Sequence, residues 1–176
     1  MIRGARTDEI PRLREIERAA GTVFRELGMD AIADDDPPAE TVLLASIDEG
    51  CCWVAADAGD RAVAYCIVRV VDDAGHIEEV SVHPDHARRG LGRALIDHAE
   101  RWAAARGLLA LTLTTFANVP WNQPYYERLG FRVMPPGSLG DGLLRLRQRE
   151  AAAGLDRWPR VAMSRPVGFR PVDHRP

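Results

Sequence analysis

Apolar residues recur at helical spacing near the start of the chain. Ile10, Leu13, Ile16 and Ala20 fall on one face of a 3.6-residue period. The stretch "TDEIPRLREIERAA" therefore predicts a helix, with Thr7 placed to cap it and Pro11 in its first turns. A short strand, "IRGAR" (2–6), precedes it. "GTVFRELGM" reads as a second short helix ending near Gly28, and "PAETVLLASIDEG" as a third, stopped by Gly50. The stretch "DAIADDDPPAE", with its acidic run and Pro-Pro, reads as a loop. The texture then changes. "CCWVAAD" (51–57) and "RAVAYCIVRVV" (61–71) are rich in β-formers, joined by "AGD" as a hairpin turn. "DDAG" (72–75) is a second turn signal, and "HIEEVSV" (76–82) predicts a third strand ended by His83-Pro84.

Helical spacing returns over Leu91–Arg106. Leu91, Leu95, Ala99 and Trp102 share one face, and Arg93, Asp97 and Arg101 lie outward at i,i+4 spacing. Gly107 is placed to end this helix. "LLALTLTTF" (108–116) is a near-continuous apolar and threonine run, as a central buried strand requires. "NQPYYERLG" predicts a short helix closed by Gly130, "FRVM" a strand, "PPGSLGDG" a loop and "LLRLRQREAAAG" a helix. "WPRVAMSRPV" (158–167) predicts a final strand, and "GFRPVDHRP" a frayed tail. The order is helices, an antiparallel meander, then alternating strands and helices. It predicts an α/β (α+β) fold with a mixed sheet of about six or seven strands. One domain over 1–168 followed by a tail at 169–176 suits the length.

Composition narrows the function classes. With 46% hydrophobic and 28% charged residues the chain can build a core and stay soluble. It has no stretch near the roughly 18 apolar residues that span a bilayer, and "MIRGARTDEIPRL" has no apolar signal-peptide core, so a cytoplasmic location without membrane association is expected. A net charge of −3 makes no general case for nucleic acid. There is no lysine, so all 23 Lys/Arg positions are arginine, which genome composition explains more simply than function does. Cys51, Cys52 and Cys66 fit neither a zinc site nor a disulfide framework and read as buried thiols. His83, His86, His98 and His174 form no pair with metal-ligand spacing, and no metal is expected.

The chemistry concentrates at "HARRGLGRAL" (86–95). A helix N-terminus carries unsatisfied N–H groups and partial positive charge, and it binds phosphate where the backbone can come close. Gly90 and Gly92 remove side chains that would block approach; Arg88, Arg89 and Arg93 add charge. On its own the stretch also reads as a plain strand–helix turn, with glycines for geometry and arginines for solubility. It is neither a dinucleotide fingerprint, lacking the third glycine, nor a P-loop, lacking Lys-Ser/Thr.

Context decides between these readings. "VHPDHARRGLGRALIDHAERWAAARG" resembles the acetyl-CoA-binding motif of the GNAT superfamily of N-acetyltransferases. There a strand ending in V-x-P leads into [Q/R]-x-x-G-x-G/A and a long helix. "NVPWNQPYYERLGF" (118–131) resembles the superfamily's second signature, an Asn-containing segment followed by Y-E-x-x-G-F. The motif-specific part is 76–131, and the element order agrees over roughly 2–165. The resemblance implies a GNAT-type, mostly antiparallel sheet flanked by helices. It also implies acetyl-CoA as acyl donor and transfer to a primary amine by direct attack in a ternary complex. One position departs: the Gln or Arg three residues before the first glycine is Ala87 here. Main-chain N–H groups hold the pyrophosphate in the family, so the change weakens rather than abolishes that role, and Arg88 can compensate.

The reaction needs a neutral amine, a polarised thioester and a proton for the leaving thiolate. Alternation places His76, Glu78, Val80 and Val82 on one strand face, with Glu79 and Ser81 on the other. The resemblance sets Val80 and Val82 beside the pantetheine, and His76 and Glu78 where some members carry their base. Glu78, through a water, is the first candidate and His76 the second. Glu79 competes, because a strand bulge would exchange the faces. Both read equally as polar residues of a half-solvated strand. Tyr126 matches the motif tyrosine, the general acid of many members and a CoA neighbour, or else a core aromatic. Asn118 holds CoA or a loop, Leu91 belongs to the phosphate stretch, Tyr125 packs or lines the substrate site, and Trp121 caps the pantetheine channel or packs. Asn122 and Pro124 interrupt the segment. The first helices usually shape the acceptor site, where Asp34–Asp36 either attract a cationic amine or are simply solvated. A CoA-binding sensor without catalysis is the rival reading. A longer acyl donor and a homodimer both stay open.

Overall fold

The structure, a computed structural model, describes residues 1–168; the tail read at 169–176 lies outside the described residues. In chain order the elements are β1 (Ile2–Gly4), α1 (Ile10–Gly21), α2 (Asp30–Ala33), α3 (Glu40–Asp48), β2 (Cys52–Ala56), β3 (Ala62–Val71), β4 (Ala74–Val82), α4 (Leu91–Ala105), β5 (Ala110–Phe116), α5 (Gln123–Arg128), β6 (Arg132–Val133), α6 (Asp141–Ala152) and β7 (Arg160–Pro166). The strands form one mixed sheet in the order β1-β2-β3-β4-β5-β7-β6. The ladders β1–β2, β2–β3, β5–β7 and β6–β7 are antiparallel, whereas β4 and β5 run parallel. The apolar pattern predicts a mixed sheet of six or seven strands, and the family resemblance its mostly antiparallel, helix-flanked form; both are found.

Before β2, two local expectations change. A single 3-10 turn, Thr7–Glu9, precedes α1, and the Arg6 N–H donates to the Glu9 carboxylate at 2.9 Å. Glu9 rather than Thr7 therefore closes the turn that leads into the helix, and Arg3 donates to the same carboxylate at 2.9 and 2.8 Å. The acidic loop also contains the four-residue helix α2, where the Ala33 N–H donates to Met29 O at 3.0 Å while Met29 is buried.

The described residues form two compact units. The first comprises Met1–Val68 with Glu79–His98. Its core sets Ile10, Leu13 and Ile16 of α1 and Leu43 of α3 against Cys52, Val54, Tyr65 and Ile67. Burying each large aliphatic side chain contributes about 1.5–3 kcal/mol. The apolar stripe read from residue 10 onward is thus the face that docks on the sheet. All three cysteines are buried free thiols.

The second unit comprises Arg69–Glu78 with the described residues from Ala99 onward. β5 pairs with β7 along seven positions, Ala110↔Pro166 to Phe116↔Arg160, and Leu111, Leu113, Phe131 and Met163 are buried. β4 begins at Ala74, inside the stretch read as a turn. Gly75 lies in the strand because a side chain there would come within 3.1 Å of Leu111 and 3.4 Å of Ala103. The turn itself is made by Asp72, at φ 52. Its carboxylate accepts the N–H groups of Gly142 (2.8 Å) and Leu143 (3.1 Å), so it caps α6 from far away in sequence. A Cβ on Gly140 would lie 2.5 Å from that carboxylate, and one on Gly142 2.8 Å, which explains the two glycines of "GDG".

Asp72→Ala removes this cap and should destabilise the protein by about 1 kcal/mol, measured by urea denaturation. An unchanged unfolding midpoint would show that α6 does not need the remote carboxylate.

Candidate functional site

The first unit carries the turn from β4 into α4. The His83 N–H donates to Val63 O at 2.9 Å, holding the end of β4. Pro84–His86 form a single 3-10 turn in which the His83 ring accepts from the Asp85 N–H at 3.3 Å. His83 therefore serves the turn, and the His86 ring stands edge-on to it at 6.1 Å. Ala87 is extended. Arg88 (φ 60) and Gly90 (φ 75) then both take left-handed backbone. For arginine this conformation costs on the order of 1 kcal/mol, and it is the kind of strain found at ligand sites. Left-handed residues among right-handed ones bring successive N–H groups into an anion-binding concavity.

Gly90 O accepts the Ala94 N–H at 3.0 Å, the first bond of the fifteen-residue helix α4. By helix geometry the N–H groups of Leu91, Gly92 and Arg93 have no acceptor within the helix. Three exposed arginines surround these donors. Arg89 donates to Asp85 O at 3.1 Å, and Arg93 lies 3.8 Å from Asp97. Val80 and Val82 are half-buried just before the turn. One strand–turn–helix corner thus gathers Val80, Val82 and Arg88 through Arg93, and its chemistry is that of an anion seat.

The same unit holds a pair of acidic groups. Tyr65 has no exposed surface, and its hydroxyl donates to the Glu17 carboxylate. Ser81 donates to Glu79 at 2.8 Å. Burial pushes the Glu17 carboxyl up to about 8, with the charges of Glu79 and Asp35 adding to it and the Tyr65 hydrogen bond opposing it. The signal for Glu17 in the sequence is its place four residues after Leu13, beside the apolar stripe that faces the sheet.

The second unit holds the other predicted residues. His76 is 2% exposed and its Nδ1 lies 3.0 Å from Thr112 Oγ1, its partner in the parallel ladder. Burial brings its pKa down to about 4, so the imidazole is neutral at physiological pH. Glu78, two residues on, is partly exposed and ion-paired with Arg69. Partial burial raises its carboxyl against the pull of Arg69 and Arg149. Tyr126 is half-buried on α5, edge-on to Tyr125 at 5.3 Å and Phe131 at 5.8 Å. Asn118 is exposed in the turn after β5. The amide that ties down this turn belongs to Asn122, which donates to Thr115 Oγ1 at 2.8 Å. No group of three or more His, Cys, Asp or Glu among the described residues is arranged to hold a metal ion.

Comparison with known proteins agrees with the corner's chemistry. The profile of the Acetyltransferase (GNAT) family matches residues 10–131. A [Ribosomal protein bS18]-alanine N-acetyltransferase of Salmonella typhimurium is 39% identical over 74 residues, covering 42% of this chain and 50% of the relative. Its Escherichia coli counterpart is 37% identical over 71 residues, covering 40% and 48%. The chain spans about half the length of the curated relatives it matches. In fold it is similar to the crystal structure of the ribosomal-protein-S18-alanine N-acetyltransferase from Escherichia coli (TM-score 0.66, 23% identity, 99% and 98% coverage). It is also similar to a paia N-acetyltransferase from Thermoplasma acidophilum in complex with coenzyme A (TM-score 0.68, 14% identity, 94% and 98% coverage).

Glu17 makes stability depend on pH. Its carboxyl titrates near 8 when folded, against an ordinary value of 4.5. The native state therefore keeps a proton that the unfolded chain gives up. Stability from this group is full below about 4.5 and is lost as pH rises through 8. Glu17→Gln should remove that loss, so the variant gains on the wild type between pH 6 and pH 9 in urea denaturation, with both pH values chosen to bracket about 8. A constant difference across that range would mean that Glu17 titrates normally.

Proposed function

The chain belongs to the acetyltransferase (GNAT) family, and from that premise we propose that it transfers the acetyl group of acetyl-CoA to a primary amine. The observation that carries this reading is the corner at the start of α4, where left-handed Arg88 and Gly90 open a fifteen-residue helix. The pyrophosphate is an anion of the size this corner suits. The N–H groups from Gly90 to Arg93 receive it, and Arg88 and Arg89 supply charge. Ala87 costs little, because the main chain does the holding. The ladder of β4 with β5 covers only Ala74–His76. The later main chain of β4, with the half-buried Val80 and Val82, is the part assigned to the pantetheine. Leu91 and Gly92 allow close approach, and Asn118 is assigned to the cofactor side.

Of the strand residues, Glu78 is assigned as the base. It is partly exposed and its carboxyl is raised, which moves a carboxylate toward the proton affinity that base catalysis needs. His76 is buried and titrates near 4, which makes it the weaker candidate. The acceptor ammonium gives a proton to Glu78 through a water. The neutral nitrogen then attacks the thioester carbon, the C–S bond breaks, the thiolate takes a proton from the Tyr126 hydroxyl, and the second proton lost by the nitrogen returns to the Tyr126 phenolate. The products are the N-acetyl amine and CoA. The curated relatives are named for an alanine of a ribosomal protein, which makes a protein amine a candidate acceptor. No described helix is long and apolar enough to cross a membrane, and we assign the enzyme to the cytoplasm.

Gly90→Glu should abolish acetyl-CoA binding in calorimetry while the circular dichroism spectrum is kept. A Cβ at Gly90 meets nothing within 4 Å, so the effect comes from backbone strain at φ 75 and from the added negative charge. Unchanged affinity would overturn the phosphate assignment. Tyr126→Phe should lower kcat by about 100-fold with the acetyl-CoA KM held, the size of one general-acid contribution; equal kcat in the two proteins would remove Tyr126 from the chemistry.

A further inference from the structure

Two strands come out of the core beside the candidate base. The ladder of β4 with β5 ends at His76. Ile77 is buried, and Glu78, the next residue, is exposed. On β3, Val68 has no exposed surface, and Arg69 and Val70 are exposed. Arg69 Nε meets Glu78 Oε2 in an ion pair between these two segments, with side chains 49% and 37% exposed. Water therefore reaches the carboxylate while the guanidinium holds it.

An ion pair this open to solvent adds little to stability. Its larger effect is on where protons sit. Burial favours the protonated form of Glu78, which cannot take a proton from an amine; Arg69 opposes this, and Arg149 of α6 adds to the opposition. At His76 burial disfavours the imidazolium, Glu150 of α6 favours it, and Arg69 again acts against the proton. His76 is also held by Thr112 of β5 at 3.0 Å. Arg69, Arg149 and Glu150 are thus the charges that act on the two candidates, and among them Arg69 is in contact with Glu78.

We propose that Arg69 is a positioning residue of the transfer reaction, holding the Glu78 carboxylate as an anion and in place to receive the acceptor's proton through a water. The proposal rests on the acetyl-transfer reading above and on Glu78 as its base. Arginine suits the role because its guanidinium stays charged and presents a planar fork that orients a carboxylate. Arg69 also separates the two residues of β4. It favours the charged carboxylate and disfavours the charged imidazole, which leaves His76 the poorer proton acceptor.

The test follows kcat, both substrates saturating, from about pH 4 to about pH 9, a range that brackets the ordinary Glu and His values. It compares wild type, Arg69→Gln, Arg69→Lys and Glu78→Gln, with alaninamide and a short peptide bearing a free N-terminal alanine as the amines. Arg69 favours the anion, so removing its charge raises the pH at which Glu78 gives up its proton. The acid limb of the Arg69→Gln profile should therefore move to higher pH, with kcat falling about threefold more on that limb than on the plateau. Arg69→Lys keeps the charge and should bring the limb back toward wild type. A limb at the wild-type pH in Arg69→Gln, or an equal fall at every pH, overturns the proposal and leaves acetyl transfer standing. The equal fall would make the pair a structural tie between the strands. An acid limb that persists in Glu78→Gln removes Glu78 as the base, and the proposal with it. Turnover of neither amine counts against acetyl transfer itself. Arg69 is then decided by carbon NMR of the Glu78 carboxyl, identified by its loss in Glu78→Gln. Titration at higher pH in Arg69→Gln supports the hold, and identical titration overturns it.

Discussion

Gly90 takes a backbone angle that side chains resist, φ 75, and the anion seat we propose depends on it. The chain must leave β4, reverse within a few residues and enter α4 with its first N–H groups uncovered. Arg88 accepts the same left-handed region at a cost, and Gly90 accepts it almost freely. Because the seat is made of main chain, side-chain identity around it can vary. Ala87 stands where the family has Gln or Arg, yet it is simply extended backbone leading into the turn. Arg89 and Arg93 already have partners in Asp85 O and Asp97, so they contribute a positive field around the seat more than a fixed grip.

Most of the fold was legible because local rules and tertiary packing agree. The stripe Ile10, Leu13, Ile16 is the buried face of α1, and Leu95 and Ala99 are fully buried on α4. Within the run at 108–116, Ala110–Phe116 is a strand with partners on both sides. Positive φ at Gly28, Gly50, Gly107 and Gly130 matches the helix stops read from those glycines. What was not legible depended on groups distant in sequence. Nothing near Asp141 reveals that Asp72 caps α6, and nothing in "DDAG" reveals that Gly75 must be a strand residue to lie beside Ala103. Thr7 looked like a cap, but Glu9, already fixed by two arginines, closes the turn.

At the candidate site the left-handed turn was legible in Gly90, and the environments of the carboxylates were not. Strand alternation treats His76 and Glu78 alike, whereas burial separates a neutral imidazole bonded to Thr112 from a partly exposed carboxylate paired with Arg69. Arginine answers most of the buried or half-buried acids: Arg3 for Glu9, Arg165 for Glu100, and Arg147 and Arg160 for Glu150. Glu17 departs from this pattern. Its described partner is the Tyr65 hydroxyl, which stabilises a carboxylate far less than a guanidinium does, and it keeps its proton. No periodicity or motif marks that difference, because it arises from which side chain lies opposite.

Acetyl transfer from CoA to an amine leaves two products that can be counted. The most direct measurement is free-thiol release from acetyl-CoA across a panel of primary amines and N-terminal peptides, with the acetylated product identified by mass spectrometry. Acetyl transfer predicts thiol release that requires an amine and equals the acetyl groups transferred. Tight acetyl-CoA binding with no amine-dependent release on any member of the panel would contradict it.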